Sequence, residues 1–221
     1  MAEHKFFERY LDISDNDLED FYDFCIVVEQ KMLDGELPGI TKEYAQSIKA
    51  ENHGCLTTRL LSNYNIFQMQ HKVIRKLYAA VRDMAKEACD HYGKDFDEME
   101  YYVQGWINVE DADDCSLEEY ETYHIEPNLH EHSGGMGMPD IHGYYCINAE
   151  PSTTHYRING VTPFRNENKN NRAILSETGH KHARGHWGDS NKKRITLAYD
   201  TRVVESIQDG GGVSQHWVPL I

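Results

Sequence analysis

The sequence predicts a mainly β protein, an antiparallel sandwich or jelly roll, with a layer of helices in front of it. Three observations predict it. Apolar residues follow helical spacing in the N-terminal part. Beyond residue 100 the pattern switches to short stretches rich in Tyr, Val, Ile and Thr. Clusters of Gly, Pro and Asn separate these stretches, with no helix of comparable length between them.

The first helix is expected from Leu18 onward. Phe21, Tyr22, Cys25, Val28 and Met32 share one face, Ser14 with Asp17 supplies an N-cap pair, and Gly35 supplies a stop. Pro38-Gly39 marks a turn, and a short helix is expected over 41–50. A second long helix is expected over 65–92, with Ile74, Leu77, Val81, Met84, Ala85 and Ala88 on one stripe and Gly93 ending it. Strands are expected at 101–109, 143–150, 153–158, 172–177 and 194–206, with the acidic 110–119 and the Asn-rich 159–171 as loops. The expectation is one domain over 1–221, with a helical layer at 1–99 and a β core at 100–221.

Composition narrows the function classes. The net charge is −15, which makes a nucleic-acid partner unlikely. Residues 1–150 carry 12 Lys/Arg and 31 Asp/Glu; residues 151–221 carry 10 and 6. The C-terminal third, at a net +4, can attract a small anion within an acidic protein. There is no apolar run of membrane-spanning length and no leader-like N-terminus, so a soluble protein is expected. Five scattered Cys without a C-x-x-C read as reduced thiols in a cytoplasmic protein, not as a disulfide frame or a zinc finger. Gly-x-Gly-x-x-Gly, P-loop and Gly-x-Ser-x-Gly motifs are absent.

Eight of the thirteen His fall between 124 and 186. On a strand, residues i and i+2 face one side, so two metal ligands on one strand take the form H-x-H or H-x-E. His130-x-His132 and His124-x-Glu126 both fit, and a third ligand from a distant strand would complete one face of a metal, leaving the other open. His180, His182 and His186 are the candidates for it. Twelve residues after His182 stands Arg194 at the head of an apolar strand, with Thr196 two residues on. An Arg fork can bind both oxygens of a carboxylate, and a Thr on the same face can add one hydrogen bond.

This ending, His182 with Arg194-x-Thr196, resembles the C-terminal signature of the 2-oxoglutarate- and Fe(II)-dependent oxygenases. Trp106-x-Asn108, the His-x-His pair and HGYYC (142–146) further resemble the small members found in phage and bacterial genomes. The resemblance covers roughly 100–205. It implies a double-stranded β-helix, a cupin-like jelly roll. It implies Fe(II), 2-oxoglutarate as cosubstrate, O2, and oxidation of a substrate C–H bond, hydroxylation being the commonest outcome. Carried over, His182 is the distal metal ligand, preceded by Gly179 and followed by Trp187. His130 and His132 are the proximal pair. Arg194 clamps the far carboxylate of 2-oxoglutarate, helped by Thr196 and by a Tyr on the strand after the pair; Tyr145 is the choice, with Tyr144 behind it. Most members have a carboxylate where His132 stands, so His124 with Glu126 stays an alternative. A small-molecule or peptide substrate is expected. Two other readings stand beside this one: a cupin-like three-His zinc protein or hydrolase without 2-oxoglutarate, and a non-catalytic β-sandwich module.

Overall fold

The computed structural model describes residues 4–61, 64–97, 100–131, 141–158, 160–177, 180–204 and 217–221. Two antiparallel sheets face each other. The larger holds β1 (Phe7–Tyr10), β7 (Arg172–Glu177), β4 (Ile141–Asn148), β9 (Arg194–Val204), β3 (Glu100–Glu110) and β10 (Val218–Pro219) in that order, with β2 (Cys55–Thr57) also on β3. The smaller holds β6 (Thr162–Glu167), β5 (Thr153–Ile158) and β8 (Lys181–Arg184). It is extended past β8 by a bridge between His130 and His182, whose backbone groups exchange bonds of 3.0 and 2.7 Å. The chain steps from one sheet to the other between β4 and β5 and again between β6 and β7, then between β7 and β8 and between β8 and β9. This is the jelly-roll winding of a double-stranded β-helix.

Three helices cover the outer face of the large sheet. Helix α1 (Asp15–Leu33) starts at Ser14, whose side chain accepts from Asp17 N while Asp17 caps back, the reciprocal box the sequence suggests. Helix α2 (Lys42–Glu51) is capped by Thr41. Helix α3 (Lys72–His91) is shorter than expected at its start. His71 caps it by accepting from Val73 N, while Asn65 caps a separate 3-10 turn and holds the β3 backbone at Val103 and Gly105.

One apolar core lies between these helices and the large sheet, running from Phe7 to Leu220. Along the central strands it takes alternate residues: Ile107 and Val109 of β3, Ile141, Tyr145 and Ile147 of β4, Ile195, Leu197 and Tyr199 of β9. The opposite parity faces the small sheet, where Tyr144, Cys146, Tyr156 and Ile174 form a smaller cluster.

Several expectations are corrected. Residues 162–167, expected as loop, form a strand of the small sheet, and so do 181–184, to which no element was assigned. They show no apolar alternation because nearly every residue of β6, on both faces, is exposed, and β8 carries polar groups inward. Residues 117–128, read as loop and as a strand-like His-x-Glu pair, form two short helices, α4 (Leu117–Tyr123) and α5 (Ile125–Asn128). Among the described residues no helix is long and apolar enough to cross a membrane.

Candidate active site

Strand parity builds the site. Arg194, Thr196 and Ala198 of β9 share the face turned away from the helices, and the register pairs Arg194 with Glu110, Thr196 with Asn108 and Cys146, and Ala198 with Trp106 and Tyr144. Residues directly opposite in a sheet share a face. All of these but the buried Cys146 line one cavity of about 750 Å³ between the two sheets, and His130, His142, His182 and Arg184 enter it as well.

Three imidazoles meet at one end. The rings of His130 and His182 lie 4.5 Å apart at 56°, and His142 stacks on His182 at 4.5 Å and 17°. His182 is buried and His130 is exposed at the rim. Carbonyl oxygens only accept, so the 3.0 Å contact of His130 Nδ1 with Asn128 O suits a proton on Nδ1; His182 Nδ1 faces His180 O at the longer distance of 3.5 Å. That tautomer puts the lone pair on Nε2, the nitrogen a metal ion takes. His142 is oriented the same way by Asp200, 2.8 Å from its Nδ1. Imidazole donors of this kind suit iron or zinc. Among the described residues no three His, Cys, Asp or Glu are grouped so as to hold a metal by themselves. His132, the second half of the His-x-His pair, lies outside the described residues.

The other end holds a buried ion network. Arg194 donates from Nη1 to Glu110 (2.6 Å) and from Nε to Ser152 (3.1 Å). Glu110 also faces Arg184 Nε at 2.8 Å, and Asp113 takes both Nη atoms of Arg184 at 2.8 and 2.7 Å. Burial alone would lower the pKa of Arg184, but Glu110 and Asp113 raise it above its ordinary value, so it stays a cation. Burial would raise the pKa of Asp113, and the Arg184 fork outweighs it, leaving the carboxyl below its ordinary value. Tyr144 closes this region. Its hydroxyl donates to Asn168 and accepts from Asn166, and burial pushes its pKa up to about 12, so it is a neutral hydroxyl.

Solved structures share this architecture over most of the chain. A prolyl hydroxylase from Trichoplax adhaerens, in complex with a hypoxia inducible factor peptide, superposes with a TM-score of 0.56 at 10% identity, covering 95% of this chain and 87% of that one. The dioxygenase for auxin oxidation from Arabidopsis thaliana, in complex with 2-oxoglutarate, gives 0.52 at 11%, with 88% and 81% covered. A non-haem α-ketoglutarate-dependent carbocyclase of nogalamycin biosynthesis gives 0.52 at 10%, with 99% and 93% covered. The chain has the 2-oxoglutarate-oxygenase fold. No family model matches it, and no curated protein does.

Within this oxygenase fold the residues singled out from sequence separate into two groups. His130, His182, Arg194 and Thr196 come together in the cavity. Tyr145 does not. It points into the helix-side core and its hydroxyl donates to Asn171, whereas Tyr144 lines the cavity. The reason is parity: Tyr145 pairs with Leu197 and Tyr144 with Ala198. A signal was present, since His142, Tyr144 and Asn148 share the polar parity of β4 and Ile141, Tyr145 and Ile147 the apolar one. Glu126 is exposed on α5 and ion-paired with Arg157, and it does not line the cavity, while His124 does. Gly179 lies outside the described residues, and Trp187 is buried with its Nε1 on Lys192 O. Four cavity groups were missed: His142 entered only as part of HGYYC, Arg184 not at all, and Glu110 and Asp113 as part of the acidic 110–119 loop. Only the register that sets Glu110 opposite Arg194 reveals the pair.

Proposed function

We propose that the chain is an Fe(II)- and 2-oxoglutarate-dependent dioxygenase, probed most directly as a hydroxylase. One observation carries the reading: an Arg and a Thr two apart on β9 line the same cavity as two imidazoles that the His130–His182 bridge holds together. Nε2 of His130 and of His182, with His132 as the third donor, would hold the iron. When bound, Fe(II) with O2 and 2-oxoglutarate supplies the oxidising chemistry, in which decarboxylation of the cosubstrate to succinate is coupled to oxidation of a substrate C–H bond.

The protein's own residues bind, orient and dry the site. Arg194 takes the far carboxylate of 2-oxoglutarate with part of its fork, and the Thr196 hydroxyl donates one further bond. Tyr144, a neutral hydroxyl with its proton on Asn168, shapes the pocket wall beside them. Trp106, Ala198 and Tyr144 supply a low-dielectric wall that strengthens these contacts. A triad of neutral imidazoles leaves the metal its full charge, which favours a dianionic cosubstrate. The rim beside His130 and His124 is the entry for a small molecule or a peptide side chain, in a protein that works in a reducing, cytoplasmic setting.

The Glu110–Arg194 pair favours a second reading, a cupin-like zinc protein or hydrolase that takes no 2-oxoglutarate, because Arg194 already carries a carboxylate. One experiment separates the two. The protein is loaded with Fe(II) without oxygen, 2-oxoglutarate is added, and the metal-to-ligand charge-transfer band is recorded; succinate is measured after O2 is admitted. Band and succinate are expected, and both should be lost in Arg194→Ala. Their absence in the unaltered protein sinks the dioxygenase reading. Iron content should fall in His130→Ala, His132→Ala and His182→Ala and hold in Glu126→Ala; the reverse pattern would return Glu126 to the ligand set.

A further inference from the structure

The cosubstrate end of the cavity contains a carboxylate of its own. Glu110 is buried, with a side chain only 4% exposed. Its Oε1 accepts from Arg194 Nη1 at 2.6 Å. Its Oε2 lies 2.8 Å from Arg184 Nε, but without the alignment of a hydrogen bond. Glu110 is thus held by one good bond to Arg194 and by a second, mainly Coulombic contact to Arg184. Arg184 is held in turn by Asp113 through both Nη atoms. Two arginines and two acids make this network neutral, so Arg194 offers an incoming anion a donor fork but little net positive charge.

We infer that Glu110 determines the acid selectivity of this site: it is a built-in competitor for the far carboxylate of the 2-oxo acid on Arg194. The inference rests on the dioxygenase reading above. A ligand carboxylate arriving at Arg194 meets the Glu110 carboxylate on the same guanidinium. Either the two anions share it, at a cost in repulsion, or Glu110 turns toward Arg184, where the Coulombic contact already exists and a bond can form. In both cases the far carboxylate gains less than it would on an unshared arginine. Ser152 keeps Arg194 in place during the exchange, since it accepts from Arg194 Nε and is itself fixed by Asn168 at 2.9 Å. The effect belongs to the far carboxylate alone. An acid with the same 2-oxo carboxylate head but no second carboxylate should not sense it.

The test compares 2-oxoglutarate with pyruvate, which lacks the far carboxylate. Dissociation constants are measured by calorimetry on Fe(II)-loaded protein without oxygen. Glu110→Gln, which keeps the shape and removes the charge, should bind 2-oxoglutarate about tenfold more tightly and pyruvate as before. Glu110→Asp, which keeps the charge, should bind 2-oxoglutarate within about twofold of the unaltered protein. The unaltered protein gives a check free of any folding defect: it should prefer 2-oxoglutarate over pyruvate by less than about tenfold. A preference above roughly a hundredfold overturns the inference, as does an equal tightening of both acids in Glu110→Gln, or none. If instead the unaltered protein binds 2-oxoglutarate with no dependence on Arg194, the dioxygenase reading itself fails.

Discussion

Replacing Gly143 by alanine tests the packing that decides which face of β4 meets the cavity. A Cβ at this position would lie 2.2 Å from Tyr199 Cε2 and 2.3 Å from the Ile174 carbonyl oxygen. Carbon atoms pack at about 3.5–4.0 Å, so one partner must move. The Ile174 oxygen is backbone of the neighbouring strand. Tyr199 has no room either: it is fully buried, and its hydroxyl donates to that same oxygen at 2.7 Å. Forcing the ring aside costs about 1–3 kcal/mol in overpacking, and losing its hydrogen bond costs about 1 kcal/mol more. The expected destabilisation is roughly 2–4 kcal/mol, a fall in melting temperature of about 10 °C for a chain of this size. Thermal and urea unfolding followed by circular dichroism measure it. In a Tyr199→Ala background the ring's share of the Gly143→Ala penalty should be gone, so the penalty should shrink, while the clash with the Ile174 carbonyl oxygen keeps a part of it. A loss under about 1 kcal/mol in the Gly143→Ala variant, or a penalty undiminished without the Tyr199 ring, refutes the reasoning.

Three further outcomes are expected. Tyr144→Phe should weaken 2-oxoglutarate binding by about tenfold or less, whereas Tyr145→Phe should leave it unchanged and lower stability by about 1 kcal/mol through the lost Asn171 bond; paired titrations and unfolding curves check both. Asp113→Ala strips the fork from the largely buried Arg184 and should cost about 3 kcal/mol in urea unfolding. Asp17 has its carboxyl held down to about 2, first by the Lys72 hydrogen bond and then by Ser14. A depressed folded pKa means that its stabilisation is complete above the usual 3.8 and is lost as pH falls toward 2. Asp17→Asn should flatten the stability profile in that window, and an unchanged profile would count against the Asp17–Lys72 tie between α1 and α3.

The strong local signals were legible without a structure. Ser14-x-x-Asp17 ahead of an apolar stripe predicts α1, and the stripe from Ile74 to Ala88 predicts α3, because caps and helical periodicity are properties of neighbouring residues. The β-branched and aromatic runs at 153–158 and 172–177 coincide with strands. Strands β6 and β8 were not legible. TPFRNE and KHAR contain too few apolar residues to alternate, and their pairing to and through β5 holds them as strands. Residues 117–128 misled for the opposite reason: a His-x-Glu spacing that fits a strand sits on two short helices, the first capped by Ser116.

The site divides in the same way. The amino-acid sequence by itself put His130, His182, Arg194 and Thr196 among the candidates, through their spacing and the family resemblance it carries, and all four line one cavity. It also determined that either Tyr144 or Tyr145 would face inward, since adjacent strand residues point to opposite sides. Only the tertiary structure decided that Tyr144 is the one, that His142 stacks on His182, and that Glu110 lies on Arg194. The physical reason is register. Which strand residues face each other depends on hydrogen-bond ladders between segments as far apart as residues 110 and 194, and a shift of one residue exchanges every inward side chain for its outward neighbour.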